Sequence, residues 1–185
     1  MGAFFQKIHV RASKEDQELW LLPAMAQLGY QQVEEEADLT LWLQATGAWT
    51  TLYFEDGDLE PSFLLTLVQA ISACPGRTCL FVECVDSDFV LISLFQAGVQ
   101  VDAGAIGTFY GDQPPRPNPL CWQELVKPGE MPSFLHLFSP ETSFVFAEDA
   151  LQELYPLLGI DCAAEVCPQA DGGGQALYYR QGGKD

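Results

Sequence analysis

The sequence predicts an α+β fold in which duplicated strand–helix–strand–strand units form a mostly antiparallel sheet with helices packed on it. Three observations carry this. Short alternating stretches punctuate residues 1–111, helical stretches with an apolar stripe lie between them, and the order strand, helix, strand recurs. The chain is also 48% hydrophobic and 12% aromatic despite a formal charge of −18 over 185 residues. Disorder requires low hydrophobicity and few aromatics, so the acidity belongs to the surface of a folded chain long enough to build a core.

The first unit opens with Phe4 to Ala12, where Gln6, Ile8 and Val10 alternate with Lys7, His9 and Arg11. This pattern is a strand with one wet or functional face. Ser13 with Asp16 three residues on starts a helix as a capping-box variant. Its stripe is Leu19, Leu22, Met25 and Ala26, Pro23 is its weak point, and Gly29 ends it. Tyr30 to Val33 is an extra short strand. From Asp38 to Leu43, Leu39, Leu41 and Leu43 point inward and Thr40 and Trp42 outward.

The second unit repeats the order. Thr50 to Glu55 is a strand, and Asp58 caps a helix with Glu60 and Pro61 in its first turn. Phe63, Leu64, Leu67, Val68 and Ile71 form the apolar side, and Cys74-Pro75-Gly76 stops it. Strands follow at Thr78 to Val85, Asp88 to Gln96 and Val99 to Asp102. The middle one is apolar on both faces, so it sits centrally or is covered on both sides.

The chain is expected to be a single domain. Residues 1–111 make the duplicated sheet core, and 112–185 supply a proline-rich connector, helices and a terminal strand that cover it. The connector runs through Gln113-Pro114-Pro115-Arg116-Pro117-Asn118-Pro119. Helical turns are expected at Leu120 to Val126, near Ser133 to Phe138, and over Phe146 to Leu158. A short strand at Ala176 to Arg180 is expected at a sheet edge.

The segments Asp86-Ser87-Asp88, Ala97-Gly98, Val101-Asp102, Phe146 to Leu151, Leu158-Gly159-Ile160 and Tyr178-Tyr179-Arg180 carry a resemblance. Over its second half the chain resembles a set of small, acidic, uncharacterised bacterial proteins, some of which look like immunity or accessory proteins. It departs from them at Ala105-Ile106-Gly107, where a polar, proline-containing turn is expected. The resemblance implies an inhibitory or accessory role and carries no catalytic residue.

The six cysteines (Cys74, Cys79, Cys84, Cys121, Cys162 and Cys167) include no C-x-x-C pair, and Cys79 and Cys84 point to opposite faces of one strand. Buried free thiols in a cytoplasmic protein are expected. Neither a signal peptide nor a spanning helix of roughly 20 apolar residues is evident. The two histidines, His9 and His136, have no carboxylate or cysteine at ligand or triad spacing and are expected to be structural. Neither a metal nor a cofactor is called for, and no nucleophile elbow, phosphate loop or zinc-binding helix motif occurs.

The acidic clusters read as local devices. Glu34 to Asp38 is a solvated loop, Glu55, Asp56 and Asp58 form a turn and cap, and Asp86 with Asp88 flanks a hairpin turn. Trp42, Trp49 and Tyr53 share the face opposite the leucines, with Thr40, Thr51 and Glu55 among them. If uncovered, that face is a binding surface for a protein or a flat cation; if covered, it is a second core.

Charge argues against nucleic acid and anionic membranes as partners and leaves basic proteins or cationic ligands open. The expected function is an acidic binding protein, such as an immunity-type inhibitor of a basic protein, with Trp42, Trp49, Tyr53, Glu55, Asp56, Asp86 and Asp88 as candidate contacts. The alternative is a small-molecule domain. Duplicated units of this kind resemble gyrase-inhibitory-protein-like ligand-binding domains, in which a cleft between the two copies holds a lipophilic cation beside an acid. An enzyme using paired carboxylates ranks last, because no spacing brings two of them to one place.

Overall fold

Side-chain alternation decides how this chain is layered. The computed structural model describes residues 3–54, 59–108, 114–161 and 174–182. In β1 (Phe5–Val10), Ile8 and Val10 go to one face of a sheet and Lys7 and His9 to the other, all of them buried. β2 (Tyr30–Val33), β3 (Leu39–Thr46), β4 (Trp49–Phe54), β5 (Thr78–Val85), β6 (Phe89–Gln96), β7 (Val99–Gly107) and β8 (Gln175–Gln181) complete an eight-stranded sheet. Its order is β2-β8-β3-β4-β1-β5-β6-β7, with every neighbouring pair antiparallel. The fold class is therefore α+β.

One face carries the paired helices α1 (Gln17–Gln27) and α2 (Pro61–Ala73). Leu39, Leu41 and Leu43 pack there with Ile8, Val10 and Leu52, as the alternation requires. In α1 the buried stripe is Trp20, Leu21, Ala24 and Met25, while Leu19 is 67% exposed and Ala26 is also outside. The expected stripe is thus turned by about one residue, which brings the large Trp20 ring inward. Ser13 caps a 3-10 turn over Lys14–Asp16, and the α-helix starts only after it. In α2, Glu60 is the cap position and Pro61 opens the helix; Asp58 lies outside the described residues.

The other face is covered by the C-terminal half through α3 (Pro119–Trp122), α4 (Met131–Leu137) and α5 (Ala150–Leu158). Trp122, Phe134, Leu151 and Leu154 pack on Leu80, Val82, Ile92 and Leu94. A left-handed Gly159 ends α5. β6 accordingly contributes to both cores, with Phe95 on one side and Val90, Ile92 and Leu94 on the other.

Two strands depart from expectation. β7 runs to Gly107 rather than stopping at Asp102, although Ala103-Gly104-Ala105 is poor strand sequence. Packing overrides propensity: a Cβ at Gly104 would meet the Phe138 ring and the Pro117 ring. β8 is not at an edge, since it lies between β2 and β3. The acidic loop between those strands makes room for it. The Asp38 N–H donates to Tyr179 O, the Gln181 N–H donates to the Asp38 carboxylate, and Arg180 pairs with Glu36 at 3.1 Å.

Exchanging β1 with β4 and β3 with β5 reverses the order of the four central strands, as a two-fold axis between β1 and β4 would. Two strand–helix–strand units would give this order, but the order alone does not establish a duplication.

Gly104→Ala should cost about 1–3 kcal/mol of stability, as overpacking of a filled core does. Urea unfolding checks this: the midpoint should fall with an unchanged slope.

Candidate functional site

Three places gather polar or reactive side chains, and each is set by strand register. The first is the face opposite the leucines. Register places Trp42 beside Tyr53, Gln44 beside Thr51 and Thr46 beside Trp49, so the sequence-predicted aromatic set shares one face. It is largely covered. Trp49 and Tyr53 are 2% and 4% exposed and offer no surface to a partner; Trp42 is half-buried. The Trp49 indole N–H donates to Leu158 O at 2.9 Å, which ties the strand to α5.

His9 is fully buried there, not on a wet face, because α5 lies over it. Nδ1 is 2.8 Å from Thr51 Oγ1 and Nε2 is 3.1 Å from the Tyr155 hydroxyl, with the two rings edge to face. Thr51 Oγ1 is in turn 2.9 Å from Thr46 Oγ1. Burial, with Lys7 nearby, lowers the His9 pKa to about 3, so the ring is neutral near pH 7. Lys7 is almost as deep, its ammonium 4.6 Å from the Phe5 ring centre and 5.6 Å from that of Tyr53. The chain from Thr46 through Thr51 and His9 to Tyr155 holds α5 to the sheet. His136, by contrast, is exposed rather than seated in an apolar patch.

The second place is the β5–β6 hairpin. Asp86 and Ser87 both adopt positive φ (50° and 58°), the conformation tight hairpin turns demand and that Asp tolerates. The Ser87 hydroxyl donates to Glu148 Oε1 and accepts from the Ala3 N–H, each at 2.7 Å. The Cys84 thiol also lies against Glu148. Burial and that carboxylate push its pKa up to about 11, which makes it a poor nucleophile. Asp86 is exposed at the turn, and Asp88 borders a polar cavity of about 380 Å³ with Arg116. Glu55 and Asp56 lie outside the described residues, as do Cys162 and Cys167.

The third place is on the face of α1 and α2, and the sequence reading missed it. A groove of about 460 Å³ runs beside the start of α2, between Leu65, Phe81, Leu91, Ala103 and Pro115, with Glu83 in its floor. Gln6 stands directly across from Glu83 and donates to its Oε1 at 2.9 Å. Burial raises the Glu83 pKa above the usual carboxylate range, and the Gln6 bond offsets part of that. The available signal was a lone acid inside the apolar strand TCLFVECV. The groove lies within the second unit and not between the two, so it differs from the expected cleft.

Among the described residues no cluster of three His, Cys, Asp or Glu side chains could hold a metal ion. No helix among them is long and apolar enough to cross a membrane. Comparison of the chain with family models, with curated proteins and with solved structures found no match.

His9 makes a pH prediction with a definite sign. Its folded pKa lies below its ordinary 6.5, so the unfolded chain takes the proton first as pH falls. The stabilisation is complete above pH 6.5 and drains away towards about pH 3, by about 1.4 kcal/mol per pH unit. Carboxylate titration is common to both proteins in a comparison with His9→Gln. The stability advantage of the wild type over that variant should therefore shrink with this slope in denaturant titrations from pH 7 to 4. A constant difference would contradict the buried neutral ring.

Cys79 is fully buried and Cys84 nearly so, with 0% and 3% exposure. Both should resist iodoacetamide in the folded protein at pH 8 and label on unfolding, read by peptide mass mapping.

Proposed function

We propose that this is an acidic binding protein that engages a basic protein partner, an immunity-type inhibitor being one form of that role. The observation that carries it is an apolar sheet end left open in a chain of net charge −18. Leu65, at 40% exposure, lines the Glu83 groove, and Val85, two residues on from Glu83 along β5, is 37% exposed. An exposed apolar patch marks an interaction site, and a surrounding field of one sign selects and speeds the partner of the other.

The exposed Glu34, Glu35, Glu36, Glu60 and Asp86 contribute to that field. The buried Trp49 and Tyr53 do not serve as contacts in this reading; among the predicted residues, Asp86 remains a surface candidate. The free thiols of Cys74, Cys79, Cys84 and Cys121 suit a protein working in the reducing cytoplasm. The same acidity supports a reading without nucleic acid or anionic membrane as partner.

Calorimetric titration with purified basic proteins tests this. The expected result is one-to-one association at 50 mM salt with a negative heat-capacity change, weakening strongly by about 300 mM salt as the field is screened. Association that is absent at low salt, or insensitive to salt, would sink the reading.

A further inference from the structure

We propose that Glu83, on the open end of the face shared with α1 and α2, receives a lysine or arginine side chain of the partner, and that the apolar residues beside it seat the partner's neighbouring side chains. This rests on the basic-partner reading and adds its site. Exposure along β5 defines the opening. On this one face Cys79 is 0% and Phe81 3% exposed under α2, Glu83 is half-buried, and Val85 is 37% exposed beyond the helix. Register carries Gln6, Glu83 and Leu91 across the same face, one strand to the next. Leu65 borders it from α2.

Three considerations select the occupant. Glu83 receives one hydrogen bond, from Gln6 to Oε1, and has no cationic partner among the described residues. Lys7, next to Gln6 in sequence, points to the opposite face, as alternation requires. A half-buried carboxylate on an apolar floor therefore calls for a cation brought from outside, and a charged pair gains most where water is partly excluded.

Lysine and arginine meet this demand with an apolar stem under a charged head, the stem lying on Leu91 and Leu65. The groove's shape then favours a protein over a small molecule. It lies along an open sheet face, whereas small-ligand sites enclose roughly 70–90% of the ligand surface. Val85, next after Glu83 on the same face of β5, lies outside the groove and extends the apolar area for a larger partner.

The test uses the full chain and a short fluorescent peptide of alternating leucine and lysine, followed by anisotropy at low salt. Glu83→Gln, which keeps shape and the amide contact with Gln6, should weaken binding about tenfold. Leu65→Ser and Val85→Ser, both at exposed positions, should weaken it several-fold. Asp149→Asn removes one exposed charge elsewhere and should leave binding within about twofold of wild type. Circular-dichroism melts show that each variant is folded.

Equal small losses for Glu83→Gln and Asp149→Asn would overturn the Glu83 site while leaving the acidic-field reading standing. No peptide binding by wild type at low salt would remove both. Dodecylamine bound in a Glu83-dependent way while the peptide is not would overturn the proposal in favour of a small lipophilic cation.

Discussion

The contact of His9 with Thr51 and Tyr155 sets the terms for much of this molecule. β1 is a central strand with both faces buried, yet its sequence places Lys7 and His9 on one of them. A buried polar group without a partner costs about 1–3 kcal/mol, so that face cannot simply be roofed with leucine. α5 brings Tyr155 to the free ring nitrogen, and Trp49 fastens the end of the same helix through Leu158 O. Once α5 is fixed there, α3 and α4 fill the rest of the layer over β5 and β6. The second core is thus positioned by a polar constraint and stabilised by apolar burial.

What sequence reasoning recovers follows from the range of the interactions involved. Strand alternation is local, so it fixes the inward side of Leu39, Leu41 and Leu43 and the shared face of Trp42, Trp49 and Tyr53. The hairpin at Asp86 and Ser87 is local too. His9 and Lys7 looked wet because the residue that satisfies His9 lies 146 positions away. β7 looked short because its second half is held in the sheet by packing with Phe138 and Pro117 rather than by its own propensity. The insertion of β8 between β2 and β3 was invisible for the same reason: only the loop carrying Asp38 and Glu36 and the terminal strand together create the slot.

The acids divide by what they already do. Glu148 and Asp38 hold chain segments together, and Asp102 accepts from the Asn118 N–H and the Trp122 indole at once. Asp102 and Glu83 both sit in strands, but only Asp102 is engaged by two donors from a covering element. Glu83 has a single side-chain contact across the sheet and a half-open environment. The proposed partner would therefore meet its apolar-set carboxylate not in the clusters that dominate the composition but at Glu83.

The edges of the sheet narrow the mode of association further. A partner can extend a sheet by pairing with an edge strand, but β7 is guarded: its Ala105 N–H is already taken by Pro115 O, and Asn118 is bound to Asp102 alongside. The opposite edge, β2, has four residues and runs into three consecutive glutamates, a short and charged edge of the kind that resists strand addition. With β2 and the Ala105 stretch of β7 blunted and the centre roofed on both sides, the proposed partner would meet the sheet through the part of a face that, among the described residues, the helices leave bare. That part is the end of β5 and β6 beyond α2, which favours side-chain docking on a face over strand pairing in the proposed recognition.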